Sequence, residues 1–176
     1  MAPGPRKVAL TIHVASSVGW SGAIVAFIGL VLLGLTTPDA ATVRGVYLVM
    51  EPTAWTVLLP LAVVSLITGI VQALGTTWGL LRHYWVLTKL AITAFATAFL
   101  LIYTKTFAAM AVVAADPDAA LETVRNPSPG VHGILALLLV LTATVLSIFK
   151  PRGLTRYGWR QQREQRQRAR PATQPG

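Results

Sequence analysis

The chain contains no cysteine. That excludes disulfides, thiolate metal sites and cysteine nucleophiles, and it leaves the redox compartment undetermined. Charge is scarce as well. Only 12% of the 176 residues are Asp, Glu, Lys or Arg, where a soluble domain carries about a quarter. Acidic residues are the rarest, six against fifteen Lys and Arg. No glycine-rich nucleotide loop, catalytic triad pattern or metal-hydrolase motif occurs, so no motif assigns an enzyme class.

What is present is apolar: 54% of the residues are hydrophobic and the mean hydropathy is +0.62. They come in blocks, which predicts transmembrane segments and not one soluble core. Four spans are expected, at about 8–35, 46–74, 83–107 and 131–149. The first apolar run is longer than the roughly 7–15 residues of a cleaved leader, so it reads as a span. Pro38 and Asp39 break the chain in a loop from Thr36 to Arg44. Pro60 should disturb the middle of the second span. Trp78, Tyr84 and Trp85 suit the membrane interface. The third helix can run on to Ala115. Beyond it a short helix is expected from Pro117 to Arg125, capped by Asp116 and ended by Asn126 to Gly130. The expected fold is an all-α, integral membrane four-helix bundle over residues 1–150, followed by a basic juxtamembrane tail over 151–176.

The net charge of +9 is concentrated in that tail, where Lys150 to Arg170 holds eight basic residues against Glu164. Arg6, Lys7, Arg82 and the tail would share one side of the membrane. Asp39, Asp116, Asp118 and Glu122 mark the other. Short basic flanks stay cytoplasmic, so a multi-pass cell-membrane protein with both termini cytoplasmic is expected. The lipid bilayer is the expected partner, with anionic headgroups at the tail, held by a surface helix or a disordered arm. The chain could also assemble as a homo-oligomer or with a membrane partner. Nucleic acid is not expected, because aromatic interleaving is limited to Tyr157 and Trp159.

The stretch from Ile12 to Ala26 carries the chemistry. His13 and Trp20 are seven residues apart, close to two helical turns, with Ser17 between them on one face. Ala15, Gly19 and Ala23 follow four-residue spacing, with Gly22 and Ala26 beside them, as at close helix contacts in membranes. Ionisable groups at membrane depth cost at least about 2.5 kcal/mol near the centre and need an account. By depth they form an inner cluster, His13 and Lys89 with His83 at the boundary, and an outer cluster, Glu51, Lys105 and His132. Plain accounts exist. Lys105 and Lys89 can snorkel, Glu51 can pair with Lys105 or His132, and His13 can bond a serine or a carbonyl on a neighbouring helix. The functional account uses the neutral imidazole as an axial haem ligand. His13 and Lys89, with Trp20 on the same face, would hold haem b or another tetrapyrrole in the inner half. Lys89 would serve as second ligand or as partner of a propionate, and His132 is an alternative ligand on the outer side.

His13, Trp20 and Gly22 resemble the H-x6-W-x-G pattern of copper-resistance-D-type membrane proteins, and the first helix of HemJ-type protoporphyrinogen oxidases is related. Trp85 to Leu90 (WVLTKL) resembles the W-x3-K-L of the HemJ type. In that family the matching histidine and lysine are thought to hold haem, which the resemblance implies for His13 and Lys89. That family's arginines after helix one and its tyrosine-histidine pair in helix three are replaced here by Gly29 to Gly34 and by Phe99-Leu100. The resemblance therefore bears on haem and not on oxidase activity. Over nearly its whole length the chain resembles a group of small predicted integral membrane proteins of unknown function, at Ser17 to Trp20, Gly79 to Val86 and Lys150 to Gly158. Two further readings stand beside the tetrapyrrole: a non-enzymatic membrane subunit or scaffold, and a metal or small-solute transporter.

Overall fold

The computed structural model describes residues 3–75, 82–151 and 153–169. The sequence positions Trp78, Arg152 and 170–176, read above as interface and tail, lie outside them. The described residues form an all-α bundle: α1 (Pro3–Thr36), α2 (Ala40–Thr53), a π-helical turn (Ala54–Leu58), α3 (Leu59–Gly75), α4 (Tyr84–Ala115), α5 (Leu121–Val124), α6 (Ser128–Phe149) and α7 (Arg156–Ala169). Four segments are long and apolar enough to cross a membrane: Gly4–Thr36, Ala40–Gly75, Tyr84–Ala115 and Leu121–Phe149. Their outer surfaces carry exposed Leu, Val, Ile and Phe, which is the surface a bilayer solvates.

Packing follows the helical period. On α1 the buried positions are His13, Ser16, Trp20, Ile24, Phe27, Val31 and Gly34, a stripe of three- and four-residue steps. The small residues divide differently from the expectation. Gly19 and Ala23 are half-buried, whereas Ala15, Gly22 and Ala26 are exposed. The inward face is therefore made mostly by larger side chains, with Ser16 and Gly34 among them. Close approaches occur instead at Gly34, where a Cβ would meet Tyr47 and Val46 at 3.2 Å, and on α6, where a Cβ on Gly130 would meet Val31 at 3.1 Å and one on Gly133 would meet Ile28 at 3.0 Å.

Three boundaries differ from the expected ones. The second span starts at Ala40, because the Asp39 carboxylate accepts from the Thr42 amide and hydroxyl and caps the helix. These bonds hold the Asp39 carboxyl below its ordinary range. Asp116 does not cap the short helix, which begins only at Leu121. Its Oδ1 instead accepts from the Asp118 amide in a tight turn. The long helix of the fourth span, α6, begins at Ser128, with proline in its first turn, where the missing amide is harmless. Pro60 acts through the π turn just before it. Pro60 has no amide to donate to the residue four before it, and Leu59 donates to Ala54, five residues back.

Two arginines close the acidic end. Arg44 donates to the carbonyls of Ala114, Asp116, Pro117 and Ala119. Arg125 donates to those of Leu35 and Thr37. Both satisfy carbonyls that a helix terminus leaves without an internal partner. Tyr47, fully buried, joins them: its hydroxyl donates to the Asn126 carbonyl at 3.0 Å and accepts from the Asn126 amide at 2.9 Å. At the basic end α6 stops at Lys150, in the left-handed region at φ 42°, before Pro151. The tail takes the helical alternative over Arg156–Ala169. Its start is fixed to the α3–α4 connection: the Thr155 amide donates to the Arg82 carbonyl at 3.0 Å, the Tyr84 amide to Gly153 at 3.3 Å, and His83 pairs with Leu154.

Candidate functional site

The first site lies in the basic half, where α1, α3, α4 and α6 meet. His13 is buried on α1. Its Nδ1 lies 3.0 Å from the Ser65 carbonyl oxygen and 3.1 Å from the Thr68 hydroxyl, both on α3. A carbonyl only accepts, so Nδ1 carries the hydrogen and Nε2 keeps its lone pair. That lone pair meets Lys89 of α4, whose Nζ is 3.2 Å away. The bond from Lys89 can form with the amine charged or neutral, since either form has a hydrogen to donate.

The ring is held by its surroundings. A Cβ on Gly69 would stand 3.2 Å from His13 Cε1, so glycine is what lets α3 pass beside the imidazole. Ser17 and Ser65 are joined by a 2.7 Å hydrogen bond next to it. The Ser16 hydroxyl donates to the His13 carbonyl. This is a polar shell inside an apolar bundle, and each member has a partner.

Two cavities border the pair. One, about 380 Å³, extends toward the basic end past Trp85 to Arg6 and Lys150. The other, about 300 Å³, extends toward the bundle centre past Ser17 and Ser21 to Trp20. Both volumes fall at the lower end of the range of small-molecule and cofactor sites. His13 and Lys89 line both, so the pair sits between a cationic mouth and an apolar interior. Trp20 is buried beyond it on the same helix.

The acidic half places the other polar residues separately. Lys105 is exposed and Glu51 half-buried, and no ion pair joins them or His132 among the described residues. His132 lies on α6, with Nδ1 2.8 Å from the Ser128 carbonyl and 3.2 Å from its hydroxyl. That hydroxyl is 2.7 Å from the Tyr103 hydroxyl. The imidazole stacks on Phe99 at 5.4 Å and leans on Tyr103 at 4.7 Å. These rings belong to a ladder on α4, Phe95, Phe99, Tyr103 and Phe107, at successive distances of 6.2, 5.7 and 5.1 Å. Their four-residue spacing is visible in the sequence, where only the ionisable groups had drawn attention. The ladder borders a third cavity of about 490 Å³. His83 belongs to neither site. It stands at the N-terminus of α4, 6.5 Å from the Trp85 ring.

Among the described residues, no group of three or more His, Asp or Glu side chains stands close enough to hold a metal ion. A tetrapyrrole asks for a different donor set: one or two axial nitrogens, a slot, and cations for its carboxylates. The first site offers a histidine whose Nδ1–H is fixed by a carbonyl, the arrangement that leaves Nε2 available to a metal. Arg6 and Lys150 lie at its mouth. No family model, curated protein or solved structure matches the chain.

Proposed function

We propose that this chain is a multi-pass protein of the cell membrane, with both termini cytoplasmic, that holds a haem b or a related tetrapyrrole between α1 and α4 in its cytoplasmic half. The observation that carries the reading is the His13–Lys89 pair, with its imidazole oriented by Ser65 and Nε2 turned toward the amine. His13 would hold the group through its Nε2 lone pair. Lys89 would hold the group beside it, as a second nitrogen donor or as the partner of a carboxylate. Arg6 and Lys150 would bind carboxylates at the mouth, and Trp20 would bound the ring on the central side. The bound group would supply one-electron redox chemistry. The chain's own residues orient it, neutralise its carboxylates and keep bulk water from its faces. Anionic lipid is the proposed partner of α7, whose described arginines 156, 160, 163 and 166 are exposed.

The test is an absorption spectrum of detergent-purified protein, oxidised and reduced, before and after adding haemin. A Soret band in the parent that is lost in His13→Ala supports the reading. A parent with no band even after haemin overturns it. The subunit reading, a partner-binding bundle without a cofactor, would then take its place, and co-purification from membranes would follow.

A further inference from the structure

The cavity beside the aromatic ladder has a chemistry of its own. Its walls are nearly all carbon: Trp20 and Phe27 from α1, Phe95 and Phe99 from α4, and leucines from α6. No Lys, Arg, Asp or Glu lines it. It therefore offers nothing to the carboxylates of a tetrapyrrole. Its occupant must be uncharged, because an ion in such walls would lose its hydration without a counter-charge.

Four lining side chains carry polar atoms: the Tyr103 hydroxyl is bonded to Ser128 and the Thr142 hydroxyl to the Leu138 carbonyl, and beside them stand the Trp20 indole, which can only donate, and the His132 ring. The Nδ1–H of His132 is committed to the Ser128 carbonyl, so Nε2 is the lone-pair nitrogen. No described residue donates to Nε2; the hydrogen bonds of this ring to described residues all use Nδ1. Within a bilayer no bulk water is at hand to satisfy it. The ring plane is fixed by the stack on Phe99 and by Tyr103. An acceptor held at a set angle among aromatic faces matches a ligand with an aromatic ring and a hydroxyl donor on it. The way in is from the lipid. Phe95, Leu135 and Leu138 line the cavity and are each more than half exposed, at 62%, 53% and 56%.

We infer that this cavity is a second ligand site, for a membrane-soluble phenol or hydroquinone. The ring of the ligand lies among Phe95, Phe99 and Trp20, and its hydroxyl donates to His132 Nε2. Tyr103 and Ser128 hold His132 in the tautomer that accepts. The ligand is uncharged, reaches the site through the bilayer, and needs no tetrapyrrole to be present.

The full chain in lipid nanodiscs, without haemin, tests this under anaerobic conditions. The probes are radiolabelled decyl-hydroquinone and its dimethyl ether, which keeps ring and tail but has no hydroxyl donor. Empty nanodiscs measure simple partitioning into lipid. The expected result is saturable hydroquinone binding above empty discs, with the ether at least about tenfold weaker, the value of one good hydrogen bond in a dry site. In His132→Phe, which keeps the stacked ring and removes the acceptor, the two probes should bind alike. The inference is overturned by equal affinities in the parent, by no saturable excess over empty discs, or by a His132→Phe protein that discriminates as the parent does. If that variant does not fold, the parent's own hydroquinone-to-ether ratio decides.

Discussion

The two halves of this bundle each hold one histidine, buried in the basic half and half-buried in the acidic half, and each fixes it in the same way, by giving Nδ1–H to a backbone carbonyl. They differ in what faces Nε2. In the basic half it is an amine on a neighbouring helix, with Arg6 and Lys150 beyond. In the acidic half the ring borders an aromatic cavity with no charged lining. On the two readings proposed above, the same side chain in the same tautomer would serve two classes of ligand, one anionic and metal-bearing, the other neutral and lipid-soluble. The tautomer fixes what a histidine can do, and the residues opposite Nε2 decide with what.

Three substitutions would break or sharpen that contrast. Lys89→Met removes the amine but leaves His13 and its carbonyl partner in place. If Lys89 is a ligand or a carboxylate partner, haemin affinity should fall by about tenfold or more and the Soret maximum should shift, as read by titration. Unchanged affinity and spectrum would reduce Lys89 to a hydrogen-bond donor for empty His13. Gly69→Leu has a smaller expected effect. Its side chain would press on His13 Cε1, so haemin should bind several-fold more weakly, while the hydroquinone-to-ether ratio of the acidic half stays as in the parent. Tyr47→Phe should leave both ligands unaffected and lower stability alone. It deletes both bonds to Asn126 in a buried setting, at about 1–3 kcal/mol, measurable by unfolding in mixed detergent.

Much of the architecture is legible in the residue order, because blocks of apolar residues leave a chain few alternatives in a bilayer. Pro38 with Asp39 and the charged stretch around Asp116 punctuate it. The boundaries shift where polar side chains serve the backbone. Arg44 reads as a loop charge, yet it lies inside α2 and binds the carbonyls at the end of α4. Asp116 reads as a cap because proline follows it, but its carboxylate is used one turn earlier. At the site, depth along the helices puts His13 and Lys89 in one leaflet, and the two side chains are in contact. Depth also groups Glu51, Lys105 and His132, which point to different surroundings, because depth says nothing of azimuth. Gly69 and Ser65 are beyond such reading. Their facing depends on how the helix turns between Pro52 and Pro60.

That dependence gives the π turn a meaning of its own. Each residue of an α-helix advances the azimuth by 100°. The extra residue held in Ala54–Leu58 sets the phase of everything after it, as one tooth sets the mesh of a gear. It turns Ser65, Thr68 and Gly69 toward α1 while Tyr47 and Met50, before it, stay packed at the acidic end. Losing a single residue there would leave hydropathy and span length almost untouched. It would nonetheless rotate the carbonyl that holds His13 a quarter-turn away, and the imidazole would lose the restraint that turns Nε2 toward Lys89.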